Sequence, residues 1–172
     1  PWDEAVRRGF YMLDERGRLK PDYAEAIRMI AHYGRALFYG HPTHPELWAV
    51  TELVQSLGCT RAVIDHPFSP FVNLTIEEMR QATAAGITLN FTYDEISPLL
   101  GVDPAKMYAA IRAVGPEHFT LSSDCGEPLF PNSVEAMRQL SGYMLAFGLT
   151  PDELEMLVAR NPARIVDAVT VP

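Results

Sequence analysis

Four short apolar runs, at residues 36–39, 62–64, 87–91 and 119–121, are each followed by a stretch of helical periodicity. That alternation leaves a chain few options. Strands spaced by single helices pair in parallel through right-handed crossovers, which gives an α/β fold. The helix signals are specific. Tyr23, Ala26, Ile27 and Ile30 recur at helical spacing behind Pro21, and Gly34 stops them. Leu47, Val50, Leu53, Val54 and Leu57 form a second stripe ending at Gly58. Thr75 and Glu78 make a capping box for a helix that ends at Gly86. Asp103-Pro104 opens another, closed by Gly115. Asn132 with Glu135, and Thr150 with Glu153, cap two more, and Asn161-Pro162 starts a last turn. Residues 1–20 are poorly defined: Phe10 to Leu13 have strand composition, and Glu15-Arg16-Gly17-Arg18 has that of a turn.

Two architectures accommodate this order, an open doubly wound sheet or part of a (β/α)8 barrel. A whole barrel takes about 250 residues, so the 172 residues here supply about half of one. A nucleotide-binding sheet usually carries a glycine-rich turn after its first strand. Neither GxGxxG nor GxxxxGK[ST] occurs. Polar residues at every strand end favour the barrel. We therefore expect one domain over residues 1–172, built of parallel βα units as a partial TIM barrel.

Charge narrows the partners. The formal net charge is −8 and the pI near 5.0, with no basic run, so nucleic acid and anionic membrane are poor partners. No stretch approaches the roughly 18 apolar residues of a membrane span. The two cysteines fall before one strand and after another, which argues for a reducing, cytoplasmic setting rather than a disulfide framework. The chain begins Pro1-Trp2-Asp3 without an initiator Met, as expected of a processed chain or an excerpt of a longer one.

Chemistry concentrates at the strand ends. His41 in ALFYGHP, His66 in RAVIDHP and Asp124 in FTLSSDCG each close an apolar run. Parallel strands point their C-termini to one face, so these side chains should converge on one mouth, His41 and His66 on neighbours about 5 Å apart. Two imidazoles and a carboxylate suit a divalent metal, zinc by preference. Asp124 is the candidate to accept a proton from the attacking water. Tyr93, Asp94 and Glu95, after the third strand, line the same mouth; Tyr93 and Asp94 are the expected substrate contacts, while Asp94 and Glu95 read equally as capping or loop residues. Cys125 has no recognisable base and reads as packing. His32, late in a helix, and His118, before a strand, should lie away from the mouth, and His44 should belong to a helix entrance. Phe68, Pro70 and Phe71 are expected over the mouth as a lid or contact surface.

The runs GHPTHPELWAVTELVQSLGCTRAVIDHPF, TIEEMRQATAAG, IRAVGPEHFTLSSDCGEP and ELEMLVARNPARIV resemble the C-terminal half of an amidohydrolase-superfamily barrel, over roughly residues 10–167. The likeness is to metal-dependent-hydrolase-like barrel proteins, with SSD and NPARIV its most telling pieces. It implies that the four strands correspond to numbers five to eight. The fifth-strand His, His41, would ligate. The sixth-strand His, His66, would ligate a second metal or contact substrate. The eighth-strand Asp, Asp124, would ligate and shuttle the proton. The superfamily's first strand carries HxH, and no HxH occurs here. An N-terminal half-barrel is accordingly expected from elsewhere, as a segment cut off, as another polypeptide or through homo-oligomerisation; otherwise the chain is a degenerate relative.

The function expected is metal-dependent hydrolysis of a small amide, ester or lactone through metal-activated water, with Asp124 and His66 as catalytic residues. The alternatives are a related metal-dependent decarboxylase and a non-catalytic half-barrel or interaction module. Barrel-filling residues such as Leu37, Val63, Leu89 and Leu121, or their alternates along the strands, have no opposite wall here, so some of them are expected to be unusually exposed in this chain taken alone, or covered by a partner.

Overall fold

A computed structural model describes residues 10–166. After a tight opening loop, α1 (Pro21–His32), β1 (Leu37–Tyr39), α2 (His44–Ser56), β2 (Ala62–Asp65), α3 (Ile76–Ala84) and β3 (Thr88–Thr92) follow in order. A helical turn, α4 (Tyr93–Ile96), then α5 (Pro104–Val114), β4 (Phe119–Ser122) and α6 (Ser133–Phe147) come next. The described chain closes with α7 (Pro151–Glu155), a π turn (Met156–Arg160) and α8 (Asn161–Val166). The strands form one four-stranded sheet in the order β1-β2-β3-β4, and all pairs are parallel. The expected strand order and direction therefore hold. Among the described residues no helix is long and apolar enough to cross a membrane.

The opening loop is less than a strand. Only Leu13 pairs, with Leu19, across a turn in which Asp14 accepts the backbone N–H groups of Arg16 and Arg18. Residues 1–9 lie outside the described part.

Most helices start where the sequence caps them. Capping boxes open α2 (Thr43 with Glu46), α3 (Thr75 with Glu78), α4 (Thr92 with Glu95) and α7 (Thr150 with Glu153). The side-chain oxygen and the carboxylate satisfy amides that a helix start leaves unpaired.

The sheet's two faces differ. Register puts Leu37, Ala62, Ile64, Leu89, Phe91, Phe119 and Leu121 on one face. That face carries the core, against Leu47, Val50 and Val54 of α2, Met79 and Ala82 of α3, Met107 and Ile111 of α5, and Leu140 and Met144 of α6. The rings of Phe68, Phe91 and Phe119 stack in a row at 5.2 and 5.0 Å. The other face holds Phe38, Val63, Asp65, Thr88, Asn90, Thr92, Thr120 and Ser122. This corrects the expected filling residues. Val63, Leu89 and Leu121 are buried and Leu37 is partly buried. Leu37, Leu89 and Leu121 have the parity that sends them under helices, and it is Phe38 that stands 50% exposed. The second face is polar, flanked along β4 by the π turn and α8.

Candidate metal centre

The site is built at the C-terminal ends of the strands. At β1 the chain leaves through Gly40, where an added Cβ would sit 3.2 Å from the Asp65 Cβ and 3.3 Å from the His66 ring. Glycine thus lets β1 and β2 run close at their ends. His41 follows with φ 58°, His66 has φ 54° and Asp124 has φ 48°. These are three of the four described non-glycine residues with positive φ, Asn73 being the other. A side-chain-bearing residue in such a conformation costs about 1–3 kcal/mol and persists only where its surroundings enforce it. Here the positive-φ residue comes within two positions of the strand end and brings its side chain to the mouth.

Three donors meet there. One ligand atom each from His66, Asp94 and Asp124 lie within 4.8 Å of one another. His66 Nε2 is 3.3 Å from Asp124 Oδ2, and its Nδ1 is 3.0 Å from Thr92 Oγ1. A hydroxyl can accept from Nδ1–H, which leaves the Nε2 lone pair to face a cation. Burial first, and then the His41 ring, hold the His66 pKa below the ordinary imidazole value, so the ring is neutral near pH 7. Burial raises the Asp94 pKa, against the pull of His66. Asp124 is the open member, with a side chain 52% exposed.

His41 comes to the mouth but not into this three-donor set. Its ring stacks on His66, centroids 4.9 Å apart and planes 13° from parallel, and tilts against Phe71. Stacked imidazoles present faces to each other, so their nitrogen lone pairs do not converge on a shared ion. Asp94 takes the place expected of His41, because α4 turns back over the mouth immediately after β3. Tyr93 departs from its expected role: its hydroxyl donates to Gln139 Oε1 at 3.2 Å, on α6. As the first residue of α4 it points at the helix layer rather than the donors. Glu95 is a buried cap, accepting from the amides of Phe68 and Thr92, and burial lifts its pKa to about 8. Phe71 lies over the mouth as expected, whereas Phe68 joins the stacked core rings.

The remaining candidates fall where their positions implied. His44 opens α2 and meets Glu78 at 2.8 Å. His32 packs on Tyr33 at the end of α1. His118 faces Glu117, at the other end of the sheet. The Cys125 thiol, raised by burial, donates to the Ser123 carbonyl, and both cysteines are free.

Sequence reasoning missed the support beneath the donors. Asn90 donates from Nδ2 to Asp65 Oδ1 at 2.7 Å and to Ser122 Oγ at 2.9 Å, and accepts from Thr120 Oγ1 at 2.8 Å. One amide thus ties β2, β3 and β4 on the polar face. The clue was the alternation in TLNFT and FTLS, since a parallel strand buried on both faces reads as a continuous apolar run.

A family model described as a family of unknown function (DUF6282) matches residues 3–90. That span includes His41 and His66, and stops before Asp94 and Asp124. No curated protein matches the chain.

Proposed function

We infer that this chain, which belongs to the DUF6282 family of unknown function, binds a divalent metal ion through His66, Asp94 and Asp124 and hydrolyses a small amide, ester or lactone. The observation that carries this reading is the convergence of three donors from β2, α4 and the end of β4, two of them held in the left-handed conformation. Three protein ligands with a position left open is the count a hydrolytic metal site uses, and one imidazole with two carboxylates suits a divalent ion. The parallel sheet, with a polar face and its donors at the strand C-termini, supports reading the strands as numbers five to eight of an amidohydrolase-like barrel.

A divalent ion held there supplies Lewis-acid activation of a water and of the scissile carbonyl. The chain's own residues do the rest. His66, buried and neutral, fixes one side of the site through Thr92. Asp124 is exposed enough to take a proton from solvent-side water and return it to a leaving group. His41, layered on His66 at the mouth, is placed to touch substrate. The Asp65–Asn90–Ser122 bonds keep the strand ends in register below.

The test is titration of the chain with Zn²⁺ and with Co²⁺, whose visible absorption reports coordination. Stoichiometric uptake is expected, reduced about a hundredfold or more in Asp124→Asn and Asp94→Asn, since even outer partners of metal ligands contribute 10–100-fold. Absence of uptake, or wild-type affinity in both variants, would refute the site.

A further inference from the structure

Two cavities flank the donor cluster. One, of about 450 Å³, runs along the polar face of the sheet and includes Asp65, His66 and Asp124. The other, of about 340 Å³, is walled by the loops after the strands and shares Asp94 and Asp124 with the cluster. Phe71, Leu99, Leu100 and Phe130 make its apolar wall, and His41 and Glu127 stand on it. Its size falls in the range of small-molecule sites, and it opens at the strand C-termini, where parallel sheets bind ligands.

The charges around it are one-sided. Asp65, Asp94, Asp124 and Glu127 line the two cavities, and among the described residues no Lys or Arg lines either. The guanidinium-bearing recess of Arg35 and Arg61 lies instead with Gly34 and Gly58, before the strands. The three carboxylates of the loop-walled cavity, Asp94, Asp124 and Glu127, outnumber the two positive charges of one divalent ion. An anionic ligand entering the loop-walled cavity would meet like charge without a cationic partner, and such juxtaposition works as discrimination.

We propose that the loop-walled cavity selects an uncharged substrate with an apolar portion of about single-ring size and rejects carboxylates and phosphates. The inference rests on the reading of the donor cluster as the reacting centre, and it favours a neutral ester, amide or lactone over the acid that a decarboxylase would take. The apolar wall receives the non-reacting part, and the scissile carbonyl then lies toward Asp94 and Asp124, the two residues shared with the cluster.

The experiment is ligand-observed NMR on the metal-free chain with benzamide and benzoate, which differ in charge but hardly in size. Benzamide is expected to bind at least about tenfold more tightly than benzoate, the penalty of unpaired like charge. Glu127→Gln should narrow that gap, and Phe130→Ala, checked for folding by circular dichroism, should weaken benzamide. Benzoate binding as tightly as benzamide overturns the proposal, as does failure of both probes to bind up to their solubility. Glu127→Gln leaving the gap unchanged also overturns it. A separate Zn²⁺ titration keeps the two readings apart. Benzamide selectivity without metal uptake would sink the metal reading and leave the cavity's selectivity standing; metal uptake without selectivity would do the reverse.

Discussion

Positive φ recurs at both ends of this sheet, but in different residue types. Before each strand the chain turns at a glycine with positive φ: Gly34, Gly58, Gly86 and Gly115. After β1, β2 and β4 it turns in the same half of φ space, yet the residues are His41, His66 and Asp124. Glycine visits that region without steric cost. At Gly34, Gly58 and Gly86, where an added Cβ would meet nothing within 4 Å, only the turn matters, and the least strained residue fills it. At the mouth a side-chain-bearing residue occupies a turn that glycine would serve with less strain, and its side chain reaches the donor cluster or the ring stacked on it. The base is also tied down by direct contacts: Asn161 donates to the carbonyls of Pro116 and Phe119, and Arg112 pairs with Glu153 at 2.6 Å. The mouth relies on the hydrogen-bonded row beneath it.

The largest test of this contrast is Asn90→Ala. It would strand Asp65, Thr120 and Ser122 without their shared partner, and an unsatisfied buried polar group costs about 1–3 kcal/mol. We expect a loss of about 2–3 kcal/mol in urea unfolding, with metal binding weakened as well. Stability within about 0.5 kcal/mol of wild type would show that the row does not hold the mouth.

Next comes Gly58→Ala at the base. No atom lies within 4 Å of the added methyl, so only the left-handed conformation (φ 64°) opposes it. The expected loss is about 1 kcal/mol. The reciprocal change at the mouth, Asp124→Gly, relieves that strain while freeing the unfolded chain. The net change in the metal-free protein should lie within about 0.5 kcal/mol of zero, even though metal binding is lost. A destabilisation above about 1 kcal/mol would mean that Asp124 serves the fold, and the contrast between the two ends would fail.

The smallest effect is the pH response of the base. Hydrogen bonds from Arg112, foremost, hold the Glu153 pKa at about 2, below its ordinary value of 4.5. The unfolded chain then binds more protons in that window, so this contribution is complete above about pH 4.5 and is lost as pH falls toward 2. Melting temperature followed between pH 5 and 2 should drop less steeply in Arg112→Ala than in the wild type. Parallel curves would remove the ion pair from the base's account.

The elements were legible because each rests on a local signal. Pro21, Thr75 with Glu78, Asp103-Pro104 and Thr150 with Glu153 mark helix starts where α1, α3, α5 and α7 begin. Two further capping boxes, Thr43 with Glu46 and Thr92 with Glu95, are equally local signals, and the second marks the start of α4. The strand-end positions of His41, His66 and Asp124 were readable for the same local reason. Which of them share a coordination centre was not, since a rotation about one backbone bond decides whether an imidazole stacks or points.

The chain's sequence by itself determined the order of strands and helices, the parallel sheet, and the face at which its polar strand ends gather. Those follow from periodicity and from the handedness of short crossovers, which operate within about thirty residues. The tertiary structure alone decided that Asp94 joins His66 and Asp124, that Tyr93 turns to Gln139 and that Asn90 joins three strands. These contacts link residues 25 to 46 positions apart. They depend on strand register and on where α4 settles, which the packing of the whole sheet sets and no local pattern encodes.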